Sequence, residues 1–145
     1  MAGFNSSGDS DPQLVFVYGT LKRGMANHAQ LAGTPCLGTA QLQGFSLYDL
    51  GPFPMAIATG DSQHRLEGEL YAVSPQLLEQ LDRFEGAPRL YQRQRQRLGD
   101  GRPVWLYVGQ PRQVRHVQRI NSGRWLKPPP TSAPPGPGPS PGPKR

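Results

Sequence analysis

Residues 14–24, Leu-Val-Phe-Val-Tyr-Gly-Thr-Leu-Lys-Arg-Gly, constrain the fold most, because an apolar β-type run stops at a small-residue turn followed by two cations. Val15, Phe16, Val17 and Tyr18 are β-branched or aromatic in succession, the pattern of a strand buried on both faces rather than one alternating between core and water. Gly19 permits a turn directly after it. Backbone N–H groups in such a turn have no ladder partner and can converge on an anion, a carboxylate or a developing oxyanion. A tight turn with no ligand accounts for the same residues equally well. Four residues separate Gly19 from Gly24, as at the start of a phosphate-binding loop, but Met25 and Ala26 stand where that motif needs Lys and then Ser or Thr. The phosphate-loop reading therefore fails.

A chain of 145 residues accommodates one domain with a real core, expected over 13–125. Residues 1–12 are small and polar around one Phe, without the apolar and basic regions of a signal peptide. Residues 126–145 hold nine of the 17 prolines, and both ends are expected to be disordered because they cannot bury enough surface to fold. No apolar run reaches membrane-spanning length, so no membrane association is expected. The single cysteine, Cys36, excludes an internal disulfide framework and suits a reducing, cytoplasmic setting. Between Pro35 and Leu37 it reads as a small buried hydrophobe. His28, His64 and His116 show no metal-ligand spacing and no Gly-x-Ser-x-Gly elbow accompanies them, so nucleophilic catalysis is poorly supported.

Charge is unevenly spread. Residues 1–82 carry three cations against eight acids, whereas residues 83–127 carry eleven cations against Glu85 and Asp100 alone. Within that half, Tyr91, Arg93, Arg95 and Arg97 fall on one face of a strand. Such a stripe could meet a nucleic-acid backbone. Polar alternation is also what a solvated strand face looks like, and without a recognised RNA-binding motif a specific nucleic-acid role is not favoured.

Strands are expected near 14–18, 45–49, 66–73, 90–98 and 103–108, punctuated by turns at Gly51-Pro52 and Asp100-Gly101. A short helix over 28–32 and a better one over 75–84 complete the pattern. Ser74 can cap the longer helix, Pro75 suits its first position, and Gly86 with Pro88 stops it. Few helices among many short strands indicate an α+β domain with a strongly curved sheet or small barrel.

Placed around a wheel at about 100° per residue, Leu77, Leu78, Leu81 and Phe84 form one apolar arc of the 75–84 helix, and Glu85 falls inside it. Burial and the helix C-terminus would both push such a carboxyl upward, as a general base near neutral pH requires. Alternatively the last turn frays and Glu85 swings out to solvent or pairs with Arg89 or Arg93. Glu67 and Glu69 are rival carboxylates, sharing with Tyr71 a strand face most simply read as solvated.

Three stretches in this order, 15–24 (Val-Phe-Val-Tyr-Gly-Thr-Leu-Lys-Arg-Gly), 68–73 (Gly-Glu-Leu-Tyr-Ala-Val) and 81–93 (Leu-Asp-Arg-Phe-Glu-Gly-Ala-Pro-Arg-Leu-Tyr-Gln-Arg), resemble the γ-glutamylcyclotransferase-like superfamily, most closely its γ-glutamylamine cyclotransferases and AIG2-like proteins. The resemblance implies a compact mixed β-barrel with a few flanking helices, no metal and no cofactor. It implies that Tyr18, Gly19, Thr20 and Leu21 hold a small γ-glutamyl substrate and that Glu85 is the general acid/base, releasing 5-oxoproline and a free amine. In that chemistry the substrate's own α-amino group is the nucleophile, which accords with the absence of a Ser, Cys or His site. Gly86-Ala87 and the short region after Gly99 look more like bacterial members. Tyr91 and the loop Gly51-Pro52-Phe53-Pro54 are candidate pocket walls, with core or turn roles equally open. Two other classes remain in view: a catalytically silent binding module of the same fold, and a basic interaction protein.

Overall fold

The computed structural model describes residues 12–87 and 89–126. The expected disordered ends, apart from Pro12 and Leu126, lie outside the described residues, as does Pro88. Strand β1 (Gln13–Val17) is central in a five-stranded sheet with β2 (Cys36–Gln43), β5 (Arg65–Val73), β6 (Gln92–Arg97) and β7 (Pro103–Val108), in the order β2-β5-β1-β7-β6. All its pairings are antiparallel except β1 with β7, which run parallel with Val15 opposite Trp105. A second sheet, β4-β3-β8, is made by β3 (Phe45–Asp49), β4 (Pro54–Ala58) and β8 (Arg119–Ile120).

Helix α1 (Pro75–Phe84) has the expected ends: the Ser74 hydroxyl accepts from the Leu77 N–H at 3.0 Å, and Pro75 opens the helix. The shorter expected helix is a 3-10 turn, His28–Leu31. A second, Pro111–Val114, follows β7.

The apolar run of β1 divides between two cores. Val15 and Val17 face Tyr71, Val73, Tyr107 and the α1 residues Leu78 and Leu81. Phe16 and Tyr18 face the other way, toward Leu47, Leu66, Leu70, Leu106 and Trp125. Burial on both faces is what a central strand under a helix on one side and a second sheet on the other requires.

Three expectations are corrected. The sheets do not close into a barrel among the described residues, although the α+β class holds. Where β4 meets the end of β7, Gly109, the residue after β7, donates its N–H to Ala56 C=O at 2.9 Å. The Ala56 N–H and the Tyr107 carbonyl do not pair with each other, because both are taken by the Tyr18 hydroxyl, which accepts from the first at 3.1 Å and donates to the second at 2.5 Å. Strands β2, β4 and β8 join those expected from sequence. Phe84, assigned to the buried arc, is 38% exposed, because the last turn of α1 overhangs a cleft instead of the core.

Candidate functional site

The turn after β1, the end of α1 and the loop before β4 meet around a cleft of about 140 Å³. Tyr18, Gly19, Thr20, Leu21, Glu85 and Tyr91, far apart in sequence, all line it. So do Phe53 and Pro54 from the expected wall loop, while Gly51 and Pro52 stand outside.

Gly19 is needed for close approach, since a Cβ there would lie 2.7 Å from Pro54 Cγ. The three carbonyls that follow are all satisfied by the next segment: Gly19 C=O accepts from Lys22 N–H at 3.1 Å, Thr20 C=O from Asn27 N–H at 2.8 Å, and Leu21 C=O lies 2.9 Å from His28 Nδ1. The N–H groups of Gly19, Thr20 and Leu21 make no hydrogen bond within the described residues. With its carbonyls tied back, the turn offers donors and no free acceptors, a polarity suited to a carboxylate or oxyanion. Asn27, which also lines the cleft, donates from Nδ2 to Thr20 Oγ1 at 2.9 Å, leaving the Thr20 hydroxyl free to donate. Sequence reasoning missed Asn27; the only signal was an amide four residues past the basic pair.

At the opposite wall, the end of α1 does not fray. Gly86, at φ +70°, closes a Schellman motif: its N–H reaches Arg83 C=O at 3.1 Å and the Ala87 N–H reaches Asp82 C=O at 2.9 Å. Glu85 is thereby fixed as the residue capping the helix, with its N–H on Leu81 C=O at 2.8 Å. Its carboxylate has neither Arg89 nor Arg93 as a partner; Arg93 binds Asp82 instead, Nε to Oδ1 at 2.9 Å. Burial alone pushes the Glu85 carboxyl up from 4.5 to about 7.

The cleft tyrosines are otherwise engaged. Tyr18 bridges the sheets as described, the Tyr91 hydroxyl donates to Pro54 C=O at 2.6 Å, and the Tyr107 hydroxyl donates to Asp82 Oδ1 at 2.7 Å. Burial raises all three well above the usual tyrosine range, so they stay neutral around Glu85. Phe84 and Leu90 supply an apolar rim.

The remaining candidates lie elsewhere. Glu69 accepts from the Tyr71 hydroxyl and the Arg23 N–H, and Glu67 pairs with Arg124; neither lines this cleft. Cys36 is half-buried against the helix-side core. In the arginine stripe, Arg93 and Arg95 each stack 4.3 Å from the Trp105 ring, while Tyr91 precedes β6 and turns into the cleft. Among the described residues no His, Cys, Asp or Glu side chains gather as a metal site, and no helix is long and apolar enough to cross a membrane.

Residues 15–127 match the family described as gamma-glutamyl cyclotransferase, AIG2-like. The chain belongs to that family. It is 38% identical over 115 residues to a Vibrio cholerae protein provisionally named a gamma-glutamylcyclotransferase, covering 79% of this chain and 96% of that one. It is 42% identical over 91 residues to the human gamma-glutamylaminecyclotransferase, covering 55% of this chain and 58% of the human protein. The fold is shared with the crystal structure of a mouse AIG2-like protein, at a TM-score of 0.63 and 25% identity, over 81% of this chain and 97% of that one.

Proposed function

We propose that this chain is a cyclotransferase that converts a small γ-glutamyl amide to 5-oxoproline and a free amine, with Glu85 as the proton-transfer group. The observation carrying the reading is an unpaired, largely buried carboxylate, pushed upward by that burial, in the same cleft as three unbonded backbone N–H groups.

In the reaction the substrate's α-nitrogen attacks its own γ-carbonyl carbon, forming the ring C–N bond as the amide C–N bond breaks. Glu85 removes the proton that masks the α-nitrogen lone pair and returns one to the departing amine, so no water or cofactor enters the balance. The N–H groups of Gly19, Thr20 and Leu21, with the Thr20 hydroxyl, receive the substrate carboxylate or the oxyanion; one such oxyanion donor is typically worth about 2.7–4 kcal/mol. The walls made by Tyr18 and Tyr91 hold the chain folded for ring closure, where proximity contributes most. At about 140 Å³ the cleft is smaller than the roughly 300–1,000 Å³ of drug-sized pockets, so a glutamyl-sized group fills it and the leaving amine rests on the rim at Phe84 and Leu90.

The test is 5-oxoproline release from the γ-glutamyl-ε-lysine isopeptide, γ-glutamyl-alanine and glutathione, with Glu85→Gln as control. Turnover that disappears in the control is the expected result. Silence across the panel from folded protein would replace the reading with a binding module of the same fold, detected as ligand-induced stabilisation without product.

A further inference from the structure

A polar cluster centred on Asp82 links the helix that carries Glu85 to the sheet that lines the cleft. Asp82, one turn before Glu85, receives on Oδ1 both the Tyr107 hydroxyl of β7 at 2.7 Å and the Arg93 guanidinium of β6 at 2.9 Å. The Arg93 and Asp82 side chains are only 27% and 26% exposed, so this is not a freely solvated surface pair, and removing one partner strands the other. Arg93 also stacks on the Trp105 ring, 4.3 Å away. The Asp82 carbonyl meanwhile accepts the Ala87 N–H that closes the helix. Backbone and side chain of one residue thus act together at the end of α1.

We infer that Asp82 is a positioning residue: through Tyr107 and Arg93 it pins the last turn of α1 to β6 and β7 and so holds the Glu85 carboxylate against the cleft wall. Positions three apart on a helix are neighbours on its surface, so a clamp at 82 fixes the direction in which 85 projects. The inference rests on the reading of Glu85 as the proton-transfer group. Asp82 itself contacts no substrate in this scheme. Tyr18, Tyr91 and Tyr107 beside Glu85 stay neutral at working pH, but Asp82 and Arg93 are charged one turn away, so the burial of Glu85 is read from Asp82→Ala against Asp82→Asn, which removes the same charge and keeps the acceptor.

The experiment compares wild type, Asp82→Ala, Asp82→Asn and Tyr107→Phe in 5-oxoproline release across pH. Asp82→Ala is expected to lower kcat by about 10- to 100-fold through misplacement of the carboxylate. The ascending limb of kcat/KM should lie about one pH unit below that of Asp82→Asn as water reaches Glu85. Asp82→Asn, which keeps an acceptor for Tyr107, should recover much of kcat. Tyr107→Phe, which deletes a single hydroxyl, carries the same comparison if Asp82→Ala does not fold. A folded Asp82→Ala protein with wild-type kcat and the same limb as Asp82→Asn, while Glu85→Gln is inactive, overturns the inference and leaves the function standing. If wild type turns over no γ-glutamyl amide, the functional reading fails by itself. Carboxyl-carbon NMR titration of Glu85 then decides on positioning: a midpoint lower in Asp82→Ala than in Asp82→Asn retains it, and equal midpoints reject it.

Discussion

Replacing Glu85 by Gln should stabilise this protein, by an amount that grows with pH. Burial raises the carboxyl from 4.5 to about 7, so between those values the folded chain keeps a proton that the unfolded chain has released. With fewer protons on the unfolded state, stability falls as pH rises through this window and levels off above it. A shift of about 2.5 units, at about 1.36 kcal/mol per unit, amounts to roughly 3 kcal/mol. Solvent access to the half-buried side chain makes that figure an upper bound. Glutamine has nearly the same shape and no charge, so the variant escapes the penalty. The two proteins should unfold alike near pH 4.5, and the variant should gain on the order of 10 °C in thermal midpoint at about pH 8. Paired thermal and urea unfolding from about pH 4.5 to pH 8.5 measures this directly. Parallel curves, or a variant less stable at the alkaline end, would mean that Glu85 is solvated or paired, and the physical basis for a proton acceptor near neutrality would be lost.

Four further outcomes follow from the same geometry. In the wild type, kcat/KM should climb with pH through about 7 as Glu85 ionises, and a limb near the ordinary carboxylate range would contradict its burial. Asn27→Ala should free the Thr20 hydroxyl to rotate, raising KM with little change in kcat; a pure loss of kcat would place Thr20 in the transition state instead. Tyr18→Phe should orphan the Ala56 N–H and the Tyr107 carbonyl, costing about 1–3 kcal/mol for each buried group in urea unfolding, and an unchanged midpoint would refute the bridge between the sheets. Gly19→Ala should force its Cβ against Pro54, 2.7 Å from Cγ, losing about 1–3 kcal/mol by overpacking and distorting the cleft enough to impair turnover.

What was legible in the sequence was what local chemistry decides. The run of Val15 to Tyr18 could only be a two-sided strand, and the cap, proline and glycine around α1 left little freedom in its ends. Glu85 stood out because a charge within an apolar arc is a local conflict, and such conflicts concentrate at functional sites. Strand β2 escaped notice because Leu42 is its one fully buried residue and a bulge between Cys36 and Thr39 breaks its period. Strand β4, Pro-Met-Ala-Ile-Ala, carries a proline and two alanines and owes its form to β3 beside it. The link from Asp82 to Arg93 and Tyr107 joins residues brought together only by the fold, beyond any wheel or alternation pattern.

The tyrosines explain why one carboxylate carries the proposed chemistry. Tyr18, Tyr91 and Tyr107 would be the obvious donors in such a cleft, yet each hydroxyl proton is already directed to a protein oxygen. Spent in this way, they contribute aromatic walls and neutral bulk, which keep water and counter-charges from Glu85 and raise its affinity for a proton. Under the proposed function, donors for the substrate come from the turn at Gly19, Thr20 and Leu21, whose carbonyls are tied back to 22–28. The cleft then offers one largely buried carboxylate and a row of amide N–H groups. It suits a substrate that brings its nucleophile with it, and an α-amine folding back on its own γ-carbonyl is such a substrate.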